Sequence, residues 1–257
     1  MSTESDEDLG KPRPPRGIYL LPNFFTTAAL FAGFYSIVNG MQGHFHKAAV
    51  AIFVAMIMDA LDGRVARLTN TQTAFGVEFD SLSDLVSFGL APALVSYSWS
   101  LHDLGNFGWL ASFWYVAATA LRLARFNTQI LYVDKRYFQG LPSPAAAAVV
   151  AGAIGLSRYY PQLPETVEGI VIGIFLIVLG VLMVSNIRYY SFKESPFKDR
   201  VPFVSIIVVV LVFMAIAIAP MLVLFLGALL FAVSGPVWTL KLLRAKRVER
   251  RRSDSGD

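Results

Sequence analysis

The sequence predicts an all-α, polytopic membrane helix bundle of about eight transmembrane helices, and three observations carry that expectation. Hydrophobic residues make up 55% of the 257, and mean hydropathy is +0.56, well above the apolar share of an ordinary soluble domain. The apolar residues gather in runs that approach the ~20 needed to cross a bilayer core of ~30 Å. When the runs are laid out with the N-terminus in the cytosol, all of the 22 Lys and Arg except Lys47 and Arg158 fall at or inside the cytosolic boundary. That satisfies the positive-inside rule, so the net charge of +4 reports topology rather than affinity for nucleic acid. With no cysteine in the chain, disulfides, thiolate metal sites and cysteine nucleophiles are excluded.

Residues 1–16, MSTESDEDLGKPRPPR, run from acidic to Pro-rich and basic without apolar periodicity and read as a disordered cytosolic tail. Residues 17–243 read as one transmembrane domain and 244–257 as a basic cytosolic tail. The first span, 18–38, lacks a small-residue cleavage pattern close behind it and is therefore expected to be retained. Pro22 stands in its first turn, with Asn23 and Thr26 at the cytosolic end, where they either cap the helix or touch a ligand. Further spans are expected at 48–67, 81–100, 107–123, 144–159, 170–187, 201–219 and 221–240, the run at 144–159 being short. An even count places both termini on one side. The segment Arg188-Tyr189-Tyr190-Ser191-Phe192-Lys193 reads as a structural aromatic belt at the interface. The last two spans are nearly charge-free and are separated by Pro220, with Phe and Leu facing lipid or the partner protomer of a homodimer. Lys241 to Arg252 is basic, abuts a span and suits anionic headgroups of membrane lipids, so no nucleic-acid partner is expected.

Residues 59–84, DALDGRVARLTNTQTAFGVEFDSLSD, place four aspartates, Asp59, Asp62, Asp80 and Asp84, beside the apolar run AAVAIFVAMIM. A charge at such a depth costs roughly 2.5 to 3.5 kcal/mol by insertion scales if it faces lipid, so something must compensate it. Helical neighbours three or four apart share a face, which brings Asp59 toward Asp62 and Asp80 toward Asp84. A turn around Thr69 to Thr73 would join the two helical ends into one cup at the cytosolic face. Four carboxylates repel one another unless cations lie among them, and an all-oxygen ligand set suits hard divalent ions such as Mg²⁺ or Mn²⁺. Gly63 leaves backbone bare for a ligand, while Arg64 and Arg67 place positive charge a turn later, where a phosphate could be held. The structural alternative has the acids capping helices and pairing with Arg64 and Arg67.

Asp59, Asp62, Gly63, Ala66, Arg67, Gly76, Asp80 and Asp84 match every fixed position of the pattern DxxDGxxAR(x8)GxxxDxxxD. At these residues the chain resembles the CDP-alcohol phosphotransferases, membrane enzymes that displace CMP from a CDP-linked lipid or alcohol. The PNxxT opening from Pro22 to Thr26 is similar too. The resemblance implies that Asp59, Asp62 and Asp80 ligate metal, Mg or Mn with two ions per site. It makes Asp84 the base, lying also in the metal shell. It further implies that Asn23, Thr26, Asp62, Gly63, Ala66, Arg67, Thr73 and Gly76 meet the CDP-lipid.

Two more polar clusters mark the cytosolic face: Arg122-Leu123-Ala124-Arg125-Phe126-Asn127, and Phe138-Gln139-Gly140-Leu141-Pro142-Ser143-Pro144. Taken alone, such arginines are snorkelling topology anchors and a Gly/Pro turn is a turn. Together, RLARFN and FxGLPSPxA resemble the membrane-embedded bacterial phosphatidylserine synthases of the family. That likeness implies L-serine as acceptor, CDP-diacylglycerol as donor and an inner (cytoplasmic) membrane location, with Arg122, Arg125, Asn127, Gly140, Pro142 and Ser143 around the serine. Arg122, Arg125, Lys135 and Arg136 leave glycerol 3-phosphate or inositol phosphate open as the acceptor. A cation transporter would need acids continuing toward the outer face, and the outer halves of spans three to eight have none. A structural scaffold leaves the cost of four acids unexplained.

Overall fold

The computed structural model describes residues 20–129, 137–159, 164–190 and 203–254. The tail 1–16, the cations Lys135 and Arg136, and Ser191 to Lys193 lie outside the described residues. Helix α1 (Leu20–Met41) is followed by α2 (Phe45–Leu68) and α3 (Ala74–Asp84). The last of these continues through a π-helical turn (Leu85–Leu90), α4 (Ala91–Ser96) and a second π turn (Tyr97–Leu101) as one helical path. Then come α5 (Asn106–Gln129), α6 (Ser143–Leu156), α7 (Glu165–Val184), α8 (Phe203–Ile218) and α9 (Pro220–Asp254).

These stretches follow the expected runs in order and form a helical bundle suited to a membrane. Leu20–Met41, Thr166–Val184 and Pro220–Lys241 are each long and apolar enough to cross one, while Ser143–Leu156 and Ile206–Ile218 are apolar but shorter. At 1.5 Å per residue, α6 is about 21 Å long, less than the bilayer core. Its neighbours compensate, because 11 of its 14 residues are buried in the bundle.

Boundaries depart from expectation where local chemistry decides them. Helix α2 stops at Leu68 because Asn70 takes a left-handed φ of 51° and the Thr69 hydroxyl donates back to the Val65 carbonyl at 2.7 Å. Helix α3 starts at Ala74 rather than 81, because Thr73 is its N-cap and accepts the Gly76 N–H at 3.0 Å. Helix α7 ends three residues early, where Ser185 turns extended. Helix α9 does not break at residue 243 but runs on through the basic segment to Asp254.

The all-α expectation has one exception. Strand β1 (Tyr137–Gln139) pairs antiparallel with β2 (Arg188–Tyr190), Gln139 opposite Arg188 and Phe138 opposite Tyr189. The aromatic belt expected at 188–190 is therefore a strand, and Tyr189 is fully buried rather than interfacial. Its hydroxyl donates to the Ala232 carbonyl at 3.0 Å and its ring lies 5.4 Å from that of Phe231, while Gly235 leaves room for it. Tyr189 thus pins the ribbon to α9. Helix α8 packs on α9 and turns large apolar side chains such as Val208, Leu211 and Phe213 outward, as a lipid-facing helix does.

Small residues set the approach of helices that carry the site. A Cβ on Gly33 of α1 would stand 2.7 Å from the Ser87 Cα in the π turn, and the Ser87 hydroxyl donates to the Ala29 carbonyl at 3.0 Å. A Cβ on Gly89 would stand 3.2 Å from Thr119 of α5. The π turn directly after Asp84 is therefore held between α1 and α5.

Candidate functional site

Helix α2 presents Asp59 and Asp62 one turn apart, and α3, which packs on α1 as α2 does, brings Asp80 and Asp84 toward them. One carboxylate oxygen from each of Asp59, Asp62 and Asp80 lies within 4.8 Å of the others. Asp84 lies beside Asp59, near enough for the two carboxyl groups to interact. Two helices thus gather three of the four carboxylates expected in the cup, with Asp84 next to Asp59.

Neighbouring helices orient these acids. Asp62 is only 5% exposed, and its Oδ2 accepts a 2.8 Å hydrogen bond from the Thr26 hydroxyl of α1. The Ser83 hydroxyl, next to Asp84, donates to the Thr26 carbonyl at 3.1 Å. One residue of α1 therefore braces both acidic helices. Asn23, a turn earlier, brings its Oδ1 to 3.6 Å from where a Gly76 Cβ would stand, beside the Thr73 hydroxyl. Asn23, Thr26, Thr73 and Gly76 consequently border one rim of the cup. At Gly63 an added Cβ would meet nothing closer than the Arg67 guanidinium at 3.8 Å, so a bare backbone patch lies under a cation. Ala66, half-buried on the same helix, accepts the Thr71 N–H at 3.1 Å through its carbonyl.

The structural alternative fails on geometry. Among the described residues neither Arg64 nor Arg67 forms an ion pair with the four acids. The cation that does face the cup is Arg122 of α5, which attracts Asp84 electrostatically. Its Nη1 donates to the buried Ser143 hydroxyl at 3.0 Å, and its Nε is buried without a partner. Among the described residues Asp59, Asp62 and Asp80 form no ion pair with a protein cation. Repulsion among oxygens this near is relieved by a divalent ion, and the donor set, carboxylates with no sulfur or imidazole, fits a hard cation.

The second cluster lies alongside. Asn127 Nδ2 donates to the Ser81 hydroxyl at 3.0 Å, tying α5 to α3 one residue from Asp80. Arg125 donates from Nη1 to the Val184 carbonyl at 3.2 Å, and from Nη2 to Gln139 Oε1 and Asn186 Oδ1. Gly140 has φ of 76°, and a Cβ there would collide with the Met183 carbonyl, so the turn requires glycine. Pro142 caps α6, its carbonyl accepting the Ala146 N–H at 3.0 Å. Sequence reasoning missed Ser81, Ser83, Gln139 and Asn186. Asn186, a polar residue closing an apolar run, carried a signal; the two serines did not.

Comparison with known proteins bears on this geometry. A family model described as CDP-alcohol phosphatidyltransferase matches residues 19–187, which include every acid of the cup. A CDP-diacylglycerol–serine O-phosphatidyltransferase of Helicobacter pylori is 42% identical over 200 residues, covering 78% of this chain and 84% of that protein. Proteins of the same name from Mycobacterium tuberculosis and Methanocaldococcus jannaschii are 39% and 34% identical, covering 60% and 63% of this chain and 56% and 73% of their own lengths.

Proposed function

The chain belongs to the CDP-alcohol phosphatidyltransferase family, and from that premise we propose that it transfers a phosphatidyl group from CDP-diacylglycerol to the hydroxyl of L-serine, giving phosphatidylserine and CMP. The observation that carries the reading is the meeting of Asp59, Asp62 and Asp80 at 4.8 Å with Asp84 beside them. The cup lies at the cytosolic face of the inner membrane, where the water-soluble serine arrives, and both termini are cytosolic.

Asp59, Asp62, Asp80 and Asp84 would hold two divalent cations, Mg or Mn. When bound, these supply the positive charge that neutralises the diphosphate and the charge developing on phosphorus. The protein's own groups do the rest. Thr26 fixes Asp62 through its 2.8 Å hydrogen bond. Gly63 lets the nucleotide-lipid approach the backbone, with Arg67 above it and Asn23, Ala66, Thr73 and Gly76 along the rim. Asp84 accepts the proton of the serine hydroxyl as its oxygen bonds to the phosphatidyl phosphorus. The phosphoanhydride P–O bond breaks, and CMP leaves with the electron pair.

Serine carries a carboxylate but no phosphate, and the cations support that choice. Arg122 is buried at the cup with an unpartnered Nε, a suitable donor to one carboxylate. Arg125 directs N–H groups to Val184, Gln139 and Asn186, which leaves fewer of its donors for an acceptor phosphate. The test is purified protein with CDP-diacylglycerol and a panel of labelled alcohols. Labelled serine is expected in lipid, with equimolar CMP; incorporation of glycerol 3-phosphate or inositol phosphate instead would refute the serine assignment.

Arg67 serves the nucleotide-lipid. Its guanidinium stands over Gly63 and pairs with a phosphate bidentately, which Lys reproduces poorly. Arg67→Lys is expected to raise the KM for CDP-diacylglycerol about tenfold while that for serine stays within about twofold. A change confined to the serine constant would contradict this placement.

A further inference from the structure

We propose that Arg125, Gln139 and Asn186 form a clasp of positioning residues that sets the acceptor side of the site, holding the Gly140–Ser143 turn and, through Ser143, the Arg122 guanidinium. The inference rests on the serine-transfer reading and adds what shapes the serine pocket.

Three segments far apart in sequence meet at one guanidinium. Arg125 closes α5, Gln139 ends β1, and Asn186 follows the last turn of α7. A planar fork that donates to a backbone carbonyl and two amide oxygens fixes all three in one orientation. The turn after Gln139 is stitched to the same end of α7. The Gly140 N–H donates to the Ile187 carbonyl at 2.9 Å, and the Leu141 N–H to the Leu182 carbonyl at 3.0 Å. Leu141 itself is fully buried. Two residues later Ser143 receives Arg122, the cation facing Asp84. Helices α5 and α7 are joined at further levels by Trp114 Nε1 to the Ile177 carbonyl at 3.1 Å and by Thr119 to Met183 Sδ at 3.6 Å. The clasp is the cytosolic end of this zipper.

Arginines often satisfy the last carbonyls of a helix, and a purely stabilising cap is the simpler reading. Exposure separates the two. The bonds to Gln139 and Asn186 are solvent-exposed, so their contribution to folding is small, whereas a carboxylate-binding cation must be held to within about 0.5 Å to act. Losing the clasp should therefore be felt in acceptor binding before it is felt in stability.

The experiment compares Asn186→Ala, Asn186→Asp and Gln139→Ala in the full-length protein in detergent–lipid micelles, with steady-state constants for each substrate and a thermal melt. Asn186→Ala and Gln139→Ala are expected to raise the serine KM about tenfold, leaving the CDP-diacylglycerol KM and kcat within about twofold. Asn186→Asp, which keeps an acceptor oxygen for Arg125, should restore the serine KM. Should Asn186→Ala fail to fold, the exposed Gln139→Ala and the Asp variant decide the matter. Equal loss toward both substrates, a lowered melting temperature with an unchanged serine KM, or failure of Asn186→Asp to rescue would each overturn the clasp. If the unmodified protein uses a different acceptor, the serine reading falls, and the same split measured on that acceptor still tests the clasp.

Discussion

Asp80→Ala is expected to lower turnover by about 10³-fold and to remove the response of the protein to divalent metal. A bound ion supplies several kcal/mol of transition-state charge stabilisation, and each 1.36 kcal/mol is tenfold in rate. Asp80 is the member of the close triad that comes from α3; Asp59 and Asp62 both come from α2. Deleting it leaves Asp59 and Asp62 on one helix face with only Asp84 on the α3 side, and so opens the cup there. Two measurements besides activity follow from the same geometry. Mn²⁺ should raise the melting temperature of the unmodified protein, because a ligand that binds only the folded state stabilises it by mass action, and should not raise that of the variant. In metal-free buffer the variant should melt no lower than the parent, since one of several mutually repelling carboxylates has gone. A folded Asp80→Ala protein with near-normal turnover would sink the metal cup, and so would activity that survives exhaustive chelation.

What the sequence disclosed of this arrangement was its local part. Spacings of three and four put Asp59 with Asp62 and Asp80 with Asp84, and the turn at Thr69 to Thr73 folds them together through Asn70 and the Thr73 cap. Arg64 and Arg67 are near enough in sequence to be the alternative partners of the acids, and tertiary packing instead turns Arg122 of α5 toward Asp84. Likewise the hydrogen bond from Thr26 to Asp62 spans 36 residues, which no helical period can encode. The ribbon was illegible for a different reason. Three-residue strands are too short to show alternation, and Arg188-Tyr189-Tyr190 has the composition of an interfacial belt whether or not it pairs. The π turns have no compositional signal at all, yet Gly33 and Gly89, which admit α1 and α5 to the one after Asp84, can be seen afterwards as its consequence.

Asp84 differs from the other acids in its surroundings, and its substitution should differ in kind. It interacts with the carboxyl of Asp59 and with the charge of Arg122, and Arg122 is in turn held by Ser143 at the start of α6. On the proposed mechanism it therefore stands where the metal cup would adjoin the acceptor side. A serine hydroxyl is a poor nucleophile at neutral pH, and a positioned base contributes about 10² to 10⁴-fold in rate. Asp84→Asn keeps the shape and one carbonyl oxygen for the cup but cannot take the proton. The expected result is a turnover lower by that factor with the CDP-diacylglycerol affinity retained within about threefold, because Asp59, Asp62 and Asp80 remain to hold the cations and Arg67 remains for the diphosphate. Equilibrium binding of CDP-diacylglycerol to the variant, measured alongside single-turnover CMP release with saturating serine, separates the two quantities. If binding and turnover fall together, Asp84 is a ligand like the other three and the base lies elsewhere. If binding holds and only CMP release slows, proton removal is the step that Asp84 carries, and the slowing should lessen with an acceptor whose hydroxyl is more acidic than that of serine.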